Sequence, residues 1–393
     1  MALLRISDNV YNVGVLNPFL RIAHIDKKCP YGTSYNSYLI DDRKTCLIDI
    51  VNSNFFDDFL YNLGLVCDIG AVDYLVLNRV IPQQGESIKR MLEISPKTII
   101  VCTEVGKTLL DNILNTEYNC VTVKSGDKLT LGNSVMEFIE TPMPSTLDSM
   151  CTYFDNDSVL FSGSLFGADF CEPKGLDEDM LYVDEYMEEL KNYYNYYMYS
   201  NRKYVLKALE SLGDRLIYYI APQNGVVITD RVREVVKNYS EWSSEKVEEN
   251  AVVLYVTTGG YTKELAQAVA EALESKNIKT EIIDMKTITA DECAKIVENV
   301  KYIAVGACTV NKNLPHTAIV ALSKINCLTA EDKIFFTFGS YGWSGEGADM
   351  LAVYLQLCGM KQLAPAFKVC MKPTENDIEK IKSIITESLG EVK

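Results

Sequence analysis

Histidine is almost missing from this chain of 393 residues: His24 and His316 are the only two. A metal centre needing several imidazoles therefore cannot be assembled by one subunit in any known His-rich pattern. Twelve cysteines are present, but they sit singly and no C-x-x-C pair occurs. This disfavours rubredoxin-like, zinc-ribbon and iron–sulfur modules, and most of these residues read as reduced, buried structural thiols. Long uncharged apolar runs are lacking, as is a basic-then-apolar N-terminus, so neither a membrane-spanning helix nor a signal peptide is indicated and the expected location is the cytoplasm. Basic residues are outnumbered, 38 Lys and Arg against 54 Asp and Glu, and the net charge of -16 is spread along the chain. That balance argues against nucleic acid or an anionic membrane as a partner.

The remaining composition is ordinary for a globular protein, with 48% hydrophobic and 23% charged residues. The length predicts two domains, placed at residues 1–245 and 250–393, with the polar stretch from Ser240 to Asn250 reading as a linker. In the second half, strands at Ala251 to Val256, Thr280 to Asp284, Tyr302 to Gly306, Lys333 to Phe338 and Ala366 to Cys370 alternate with helical patterns, which gives a doubly wound parallel sheet. The first half is mixed. Strands are expected at Ser37 to Ile40, Thr45 to Ile50, Tyr74 to Leu77, Thr98 to Cys102, Val135 to Glu140, Val159 to Phe161 and Leu216 to Ala221. Helices are expected at Phe55 to Leu65, Glu86 to Ile94 and Glu185 to Leu212, which suits a layered α/β domain with two sheets between helices. The Tyr-rich run Tyr193 to Tyr199 reads as a helix face packed against a domain or subunit boundary.

Three loops after successive strands of the second half carry the most specific signal, because open α/β sheets bind ligands outside the carboxyl ends of their strands. Thr257-Thr258-Gly259-Gly260-Tyr261-Thr262 puts hydroxyls and glycine-freed backbone N–H groups at a helix start, which suits a phosphate. No Lys precedes Thr262 as a nucleotide P-loop requires. Gly306 to Asn311 follows, then Phe338-Gly339-Ser340-Tyr341-Gly342-Trp343-Ser344-Gly345-Glu346, whose aromatic pair around a glycine offers the flat surface and free N–H groups that a flavin ring needs.

These loops resemble those of the flavodiiron proteins, and the likeness covers nearly the whole chain. It implies an N-terminal metallo-β-lactamase-like αββα domain joined to a C-terminal flavodoxin-like domain that binds FMN. The resemblance assigns the phosphate to Thr257, Thr258, Gly260, Tyr261 and Thr262, and the ring to Ala307, Thr309, Val310, Asn311, Ser340, Tyr341, Gly342, Trp343 and Gly345. Tyr261 and Cys308 depart from the family's usual small polar residue and proline.

The N-terminal half resembles the same family at Gly32 to Ile40, Thr141-Pro142-Met143, Asp148-Ser149-Met150 and Ala221-Pro222. Family members carry His-x-Glu-x-Asp-His after the position of Asn78 and complete a pair of irons with one more His, a bridging Asp and a last His. Position by position, this chain has Arg79, Ile81, Gln83 and Gln84 in the motif, then Ser145, Ser164 and Asn224. Arg79 brings a permanent cation, Ile81 cannot coordinate, and the carboxamides are weak ligands. The loop from Asn78 to Gln84 thus reads as a metal site whose ligands have been lost, with Asp169, Cys171 or Glu172 the material for any substitute.

His24 stands where the family often has a pocket histidine and reads first as a hydrogen-bonded structural residue, second as a proton donor; Arg79 reads as a substrate anchor or as charge compensation. His316 reads as a surface residue. The resemblance implies a head-to-tail homodimer and electrons drawn from rubredoxin, ferredoxin or an NAD(P)H-linked reductase, with an electron-transferring flavoprotein as the preferred function. A silent subunit of a redox complex and an O2 or NO reductase with a non-standard metal site are the alternatives.

Overall fold

The computed structural model describes residues 4–178, 180–244, 248–331, 333–342 and 344–391. The chain divides into two compact units, Met1–Ser244 and Glu245–Lys393.

The first unit holds a seven-stranded and a five-stranded sheet. Period-two alternation decides what each face of the seven-stranded sheet meets. Tyr38, Ile40, Cys46, Ile48, Tyr74 and Val76 point to the space between the sheets, where they join Phe138, Met150, Phe154 and Phe161 of the other sheet. Their neighbours Leu39, Leu47, Leu75 and Leu77 point outward. There they pack on the helices Phe56–Gly64, Gly85–Ile94 and Glu104–Leu114. The five-stranded sheet buries Ile139, Cys151, Tyr153 and Leu160 against the helices Val183–Tyr197, Arg202–Leu212 and Val232–Ser243. Helix, sheet, sheet, helix is the expected layering, and cover on both faces leaves every residue of the strands Met150–Phe154 and Val159–Gly163 buried.

The second unit is a parallel sheet in which the strands Thr280–Asp284, Glu248–Val256, Val300–Ala307 and Ile334–Tyr341 lie side by side in that order. Val252, Leu254 and Val256 face one helical layer, and Ala251, Val253 and Tyr255 the other. The chain winds first to one side of Glu248–Val256 and then to the other, so a topological switch point lies beside this strand.

The structure corrects several expectations. The single helix from Glu185 to Leu212 is two, Val183–Tyr197 and Arg202–Leu212, separated by the 3-10 turn Tyr199–Asn201. Met198 ahead of the turn is fully buried, and Tyr194 packs edge-on to Tyr199 and Tyr239, so side-chain packing favours the break over a continuous helix. Tyr193 and Tyr194 are core residues of their own unit. The stretch read as a linker is partly helical: Ser240 to Ser243 belong to Val232–Ser243, where Tyr239 and Ser243 are buried. Residues 245–247 lie outside the described residues. The helices Glu104–Leu114 and Val232–Ser243 and the strand Met150–Phe154 were not anticipated.

Candidate functional site

In the first unit the strand Tyr74–Val76 runs into the loop from Leu77 to Gln84. Side chains pin this loop at several points. Asn78 donates from its backbone N–H and its Nδ2 to Asp49 at 2.9 and 3.1 Å, and accepts from Thr152 Oγ1 at 2.8 Å. The Val80 N–H donates to Asp148 Oδ2 at 2.6 Å, Ser53 Oγ donates to the Gln83 carbonyl at 2.8 Å, and Gln84 Nε2 donates to the Ile50 carbonyl at 2.7 Å. Burial pushes the Asp49 carboxyl up to about 6, partly offset by the Asn78 hydrogen bonds and the charge of Arg79. Asp148 is pushed up for the same reason, against the opposing Val80 hydrogen bond.

The loop forms one wall of a cavity of about 480 Å³. Arg79, Ile81, Gln83, Gln84, Ser145 and Asn224 all line it, although they come from three distant segments of the chain. Ser164, the seventh position, is buried beside it and shares a short hydrogen bond with Ser145. Arg79 donates from Nε to Gln223 Oε1 and from Nη2 to Asn224 Oδ1 at 3.4 Å, and Asn224 Nδ2 donates to the Ser34 carbonyl at 2.6 Å. The seven positions therefore present a guanidinium, an alkyl group, three carboxamides and two hydroxyls.

Asp169 is the carboxylate at this cavity, and it is engaged elsewhere. Its Oδ2 lies 2.9 Å from Lys27 Nζ, its Oδ1 accepts from Thr33 Oγ1 at 2.9 Å, and Lys27 also pairs with Glu189 at 2.5 Å. All three charged side chains are at most 5% exposed. Burial pulls the Lys27 ammonium down, but Asp169 and Glu189 outweigh it and the net shift is upward; burial raises Glu189 despite Lys27. Glu172 folds back on the Lys174 N–H. Among the described residues no group of three or more His, Cys, Asp or Glu side chains is placed to hold a metal ion. Sequence reasoning missed the Lys27 triad and the Gln223 partner of Arg79, because nothing local marks residues so far apart as neighbours.

His24 corrects its first reading. It is exposed at the cavity, with a left-handed φ of 53°, and its ring stands edge-on to Tyr196 and Tyr197 at 6.2 Å. Among the described residues its ring makes no hydrogen bond, so it is not a structural histidine of the expected kind. His316 is exposed at the start of the helix His316–Leu322, as expected.

In the second unit the three loops follow three adjacent strands. Gly260, at φ 89°, is the N-cap of the helix Tyr261–Glu274 and no side chain caps it; its N–H donates to Thr257 Oγ1 at 3.0 Å. A Cβ built on Gly259 or Gly260 meets nothing within 4 Å, so the space over this helix start is open. Exposed Thr258, half-buried Tyr261 and buried Thr262 complete the loop. Thr262 and Ser340 share a hydrogen bond at 3.0 Å, tying the first loop to the third. Thr309 Oγ1 accepts the Gly347 N–H at 3.1 Å, tying the second to the third. Val310 and Asn313 exchange backbone hydrogen bonds at 2.9 Å around Asn311 and Lys312, whose φ values of 52° and 60° make a tight left-handed turn. Gly339 has to be glycine, since a Cβ there would fall 2.2 Å from the Ala307 carbonyl oxygen. Ser340 and Tyr341 end the strand rather than sit in a loop. Trp343 lies outside the described residues.

A family model described as ODP family beta lactamase matches residues 33–225, and one described as flavodoxin matches residues 253–383. The chain is 31% identical over 388 residues to flavo-diiron protein FprA2 of Clostridium acetobutylicum, covering 97% of both. It is 30% identical over 384 residues to the anaerobic nitric oxide reductase flavorubredoxin of Enterobacter sp. strain 638, covering 95% of this chain and 79% of the relative. Among solved structures it is similar to rubredoxin oxygen:oxidoreductase from Desulfovibrio gigas, with a TM-score of 0.71, 26% identity and 99% coverage of both chains.

Proposed function

The chain belongs to the flavodiiron protein family, and from that premise we propose that it is an FMN flavoprotein that passes electrons without a pair of irons. The observation that carries this reading is the donor set around the 480 Å³ cavity, with a guanidinium and an alkyl group where the family has metal ligands. That set does not fit two irons. An iron pair needs imidazoles and carboxylates to ligate it and offset its charge, and here a fixed cation stands in the loop while the Asp169 carboxylate is spent on Lys27. The loop also keeps its shape through Asp49, Asp148 and Ser53, with no demand for a metal. Reduction of O2 or NO at paired iron is therefore not the activity we assign.

FMN fits the second unit. The open N-terminus of Tyr261–Glu274, with Thr257, Thr258, Gly260, Tyr261 and Thr262, would hold its phosphate through backbone N–H groups and hydroxyls. Ala307, Thr309, Val310 and Asn311, with Ser340, Tyr341, Gly342, Trp343 and Gly345, would line its ring. Bound there, the flavin supplies one- and two-electron transfer; the protein's part is to orient it and limit water at its face. A separate donor protein would deliver the electrons, and the acidic surface favours a basic patch on it. Arg79 and His24 are the side chains that would meet a small molecule entering the cavity.

The test is anaerobic reduction of the FMN-loaded protein followed by exposure to O2 or NO, with and without added ferrous iron. Slow reoxidation that iron does not accelerate is expected, alongside ready reduction of one-electron acceptor dyes. Rapid gas reduction that rises with added iron would overturn the assignment.

A further inference from the structure

Cys102 and Cys120 touch. Cys102 ends the strand Ile99–Cys102 and Cys120 begins the strand Cys120–Thr122, which is the edge of the seven-stranded sheet. The strands run parallel with Ile100 opposite Cys120 and Cys102 opposite Thr122, so Cys102 and Cys120 sit diagonally on one face. Their sulfurs are 3.8 Å apart. A disulfide needs about 2.05 Å, and the three-residue edge strand, which follows the left-handed Asn115 turn, is the element able to close the difference.

The two thiols differ in the way a reacting pair must. Cys102 is fully buried against the helix Glu104–Leu114, whereas Cys120 is only partly buried. The Cys102 hydrogen bond, helped by the Lys107 ammonium, lowers the Cys120 thiol below its ordinary range, while Cys102 is raised. Lys107 is held by Asp111 at 2.7 Å, and Asp111 also accepts from Tyr118 at 2.7 Å. Tyr118 and Asn119, just before Cys120, line an open hollow of about 640 Å³ with Lys107 and Asp111.

We propose that Cys102 and Cys120 are a redox-active dithiol that hydrogen peroxide converts to a disulfide. The Cys120 thiolate attacks one peroxide oxygen, breaking the O–O bond and leaving a sulfenic acid and hydroxide. The Cys102 sulfur then attacks that sulfur, an S–S bond forms, the S–O bond breaks, and the Cys102 proton leaves with the oxygen as water. In sum two thiols and one peroxide give one disulfide and two waters, with two electrons passing from sulfur to oxygen. An external dithiol restores the reduced pair by exchange.

The experiment is peroxide treatment of the full-length, anaerobically purified protein, followed by alkylation, intact mass and peptide mapping. The expected result is loss of two of the twelve alkylatable thiols, a Cys102 to Cys120 cross-link, and full recovery with dithiothreitol. Cys102→Ser leaves a dimedone-reactive sulfenic acid on Cys120, and Cys120→Ser leaves Cys102 unreacted. Lys107→Gln slows the oxidation several-fold with the same pairing. All twelve thiols still labelling after treatment, or a cross-link between other cysteines, would overturn the proposal.

Discussion

Replacing Lys27 by methionine removes one charge from a triad that is otherwise sealed. Lys27, Asp169 and Glu189 are at most 5% exposed, and Lys27 lies 2.9 and 2.5 Å from its two partners. The Lys27→Met side chain keeps most of the volume, so packing changes little, but two carboxylates are left buried without a counter-charge. Breaking such a pair costs about 3–5 kcal/mol. For a unit of this size about 2–4 °C is lost per kcal/mol, so the melting temperature should fall by about 6–20 °C at neutral pH. The sign of the pH dependence follows from Glu189, which burial raises and Lys27 partly restores. Without Lys27 its folded-state value climbs further above the unfolded one. A carboxyl shifted upward on folding destabilises progressively as pH rises from the unfolded value, about 4.3, through the folded value. The gap between wild type and variant should therefore be small near pH 4 and widest at pH 7. Thermal unfolding followed by circular dichroism across that range measures it. A gap under 2 °C at pH 7, or one that is flat from about pH 4 to pH 7, would refute the view that Lys27 exists to neutralise these carboxylates.

Other expectations are as direct. The Asp49 carboxyl should titrate near its raised value of about 6, read by carbon-detected NMR of labelled aspartate; since its folded value lies above the unfolded one, its contribution to stability is lost as pH rises from about 4 through about 6. A midpoint at the ordinary aspartate value would show that the group is not desolvated. Gly260→Ala places a side chain at φ 89° in the N-cap, a conformation costing about 1–2 kcal/mol, so FMN affinity measured by flavin fluorescence should fall about tenfold. Unchanged affinity would remove Gly260 from the phosphate site.

Periodicity made the second unit legible almost strand for strand, because parallel strands buried on both faces are continuous apolar runs and their helices alternate with them. In the first unit the same rule found seven strands but missed others, Met150–Phe154 among them, and lost the helix break at Met198, since only tertiary packing of Tyr194 and Tyr199 favours it. The end of the helix Val232–Ser243 was hidden by polar composition, while Tyr239 and Ser243 hold one face inside. At the cavity, the replaced positions were visible one by one and six of the seven line one space. What could not be read was the support: Lys27 with Asp169 and Glu189, and Gln223 beneath Arg79, join residues more than 140 positions apart. His24 was misjudged because exposure is a property of the fold and not of its neighbours in sequence.

The most direct test of the central claim is elemental analysis of the anaerobically purified protein, with iron, zinc and manganese counted against FMN released by denaturation. FMN near one per chain with negligible metal is the predicted result. Metal at one or two atoms per chain would mean that the cavity around Arg79 and Asn224 had rebuilt a centre from other side chains, and would contradict the account.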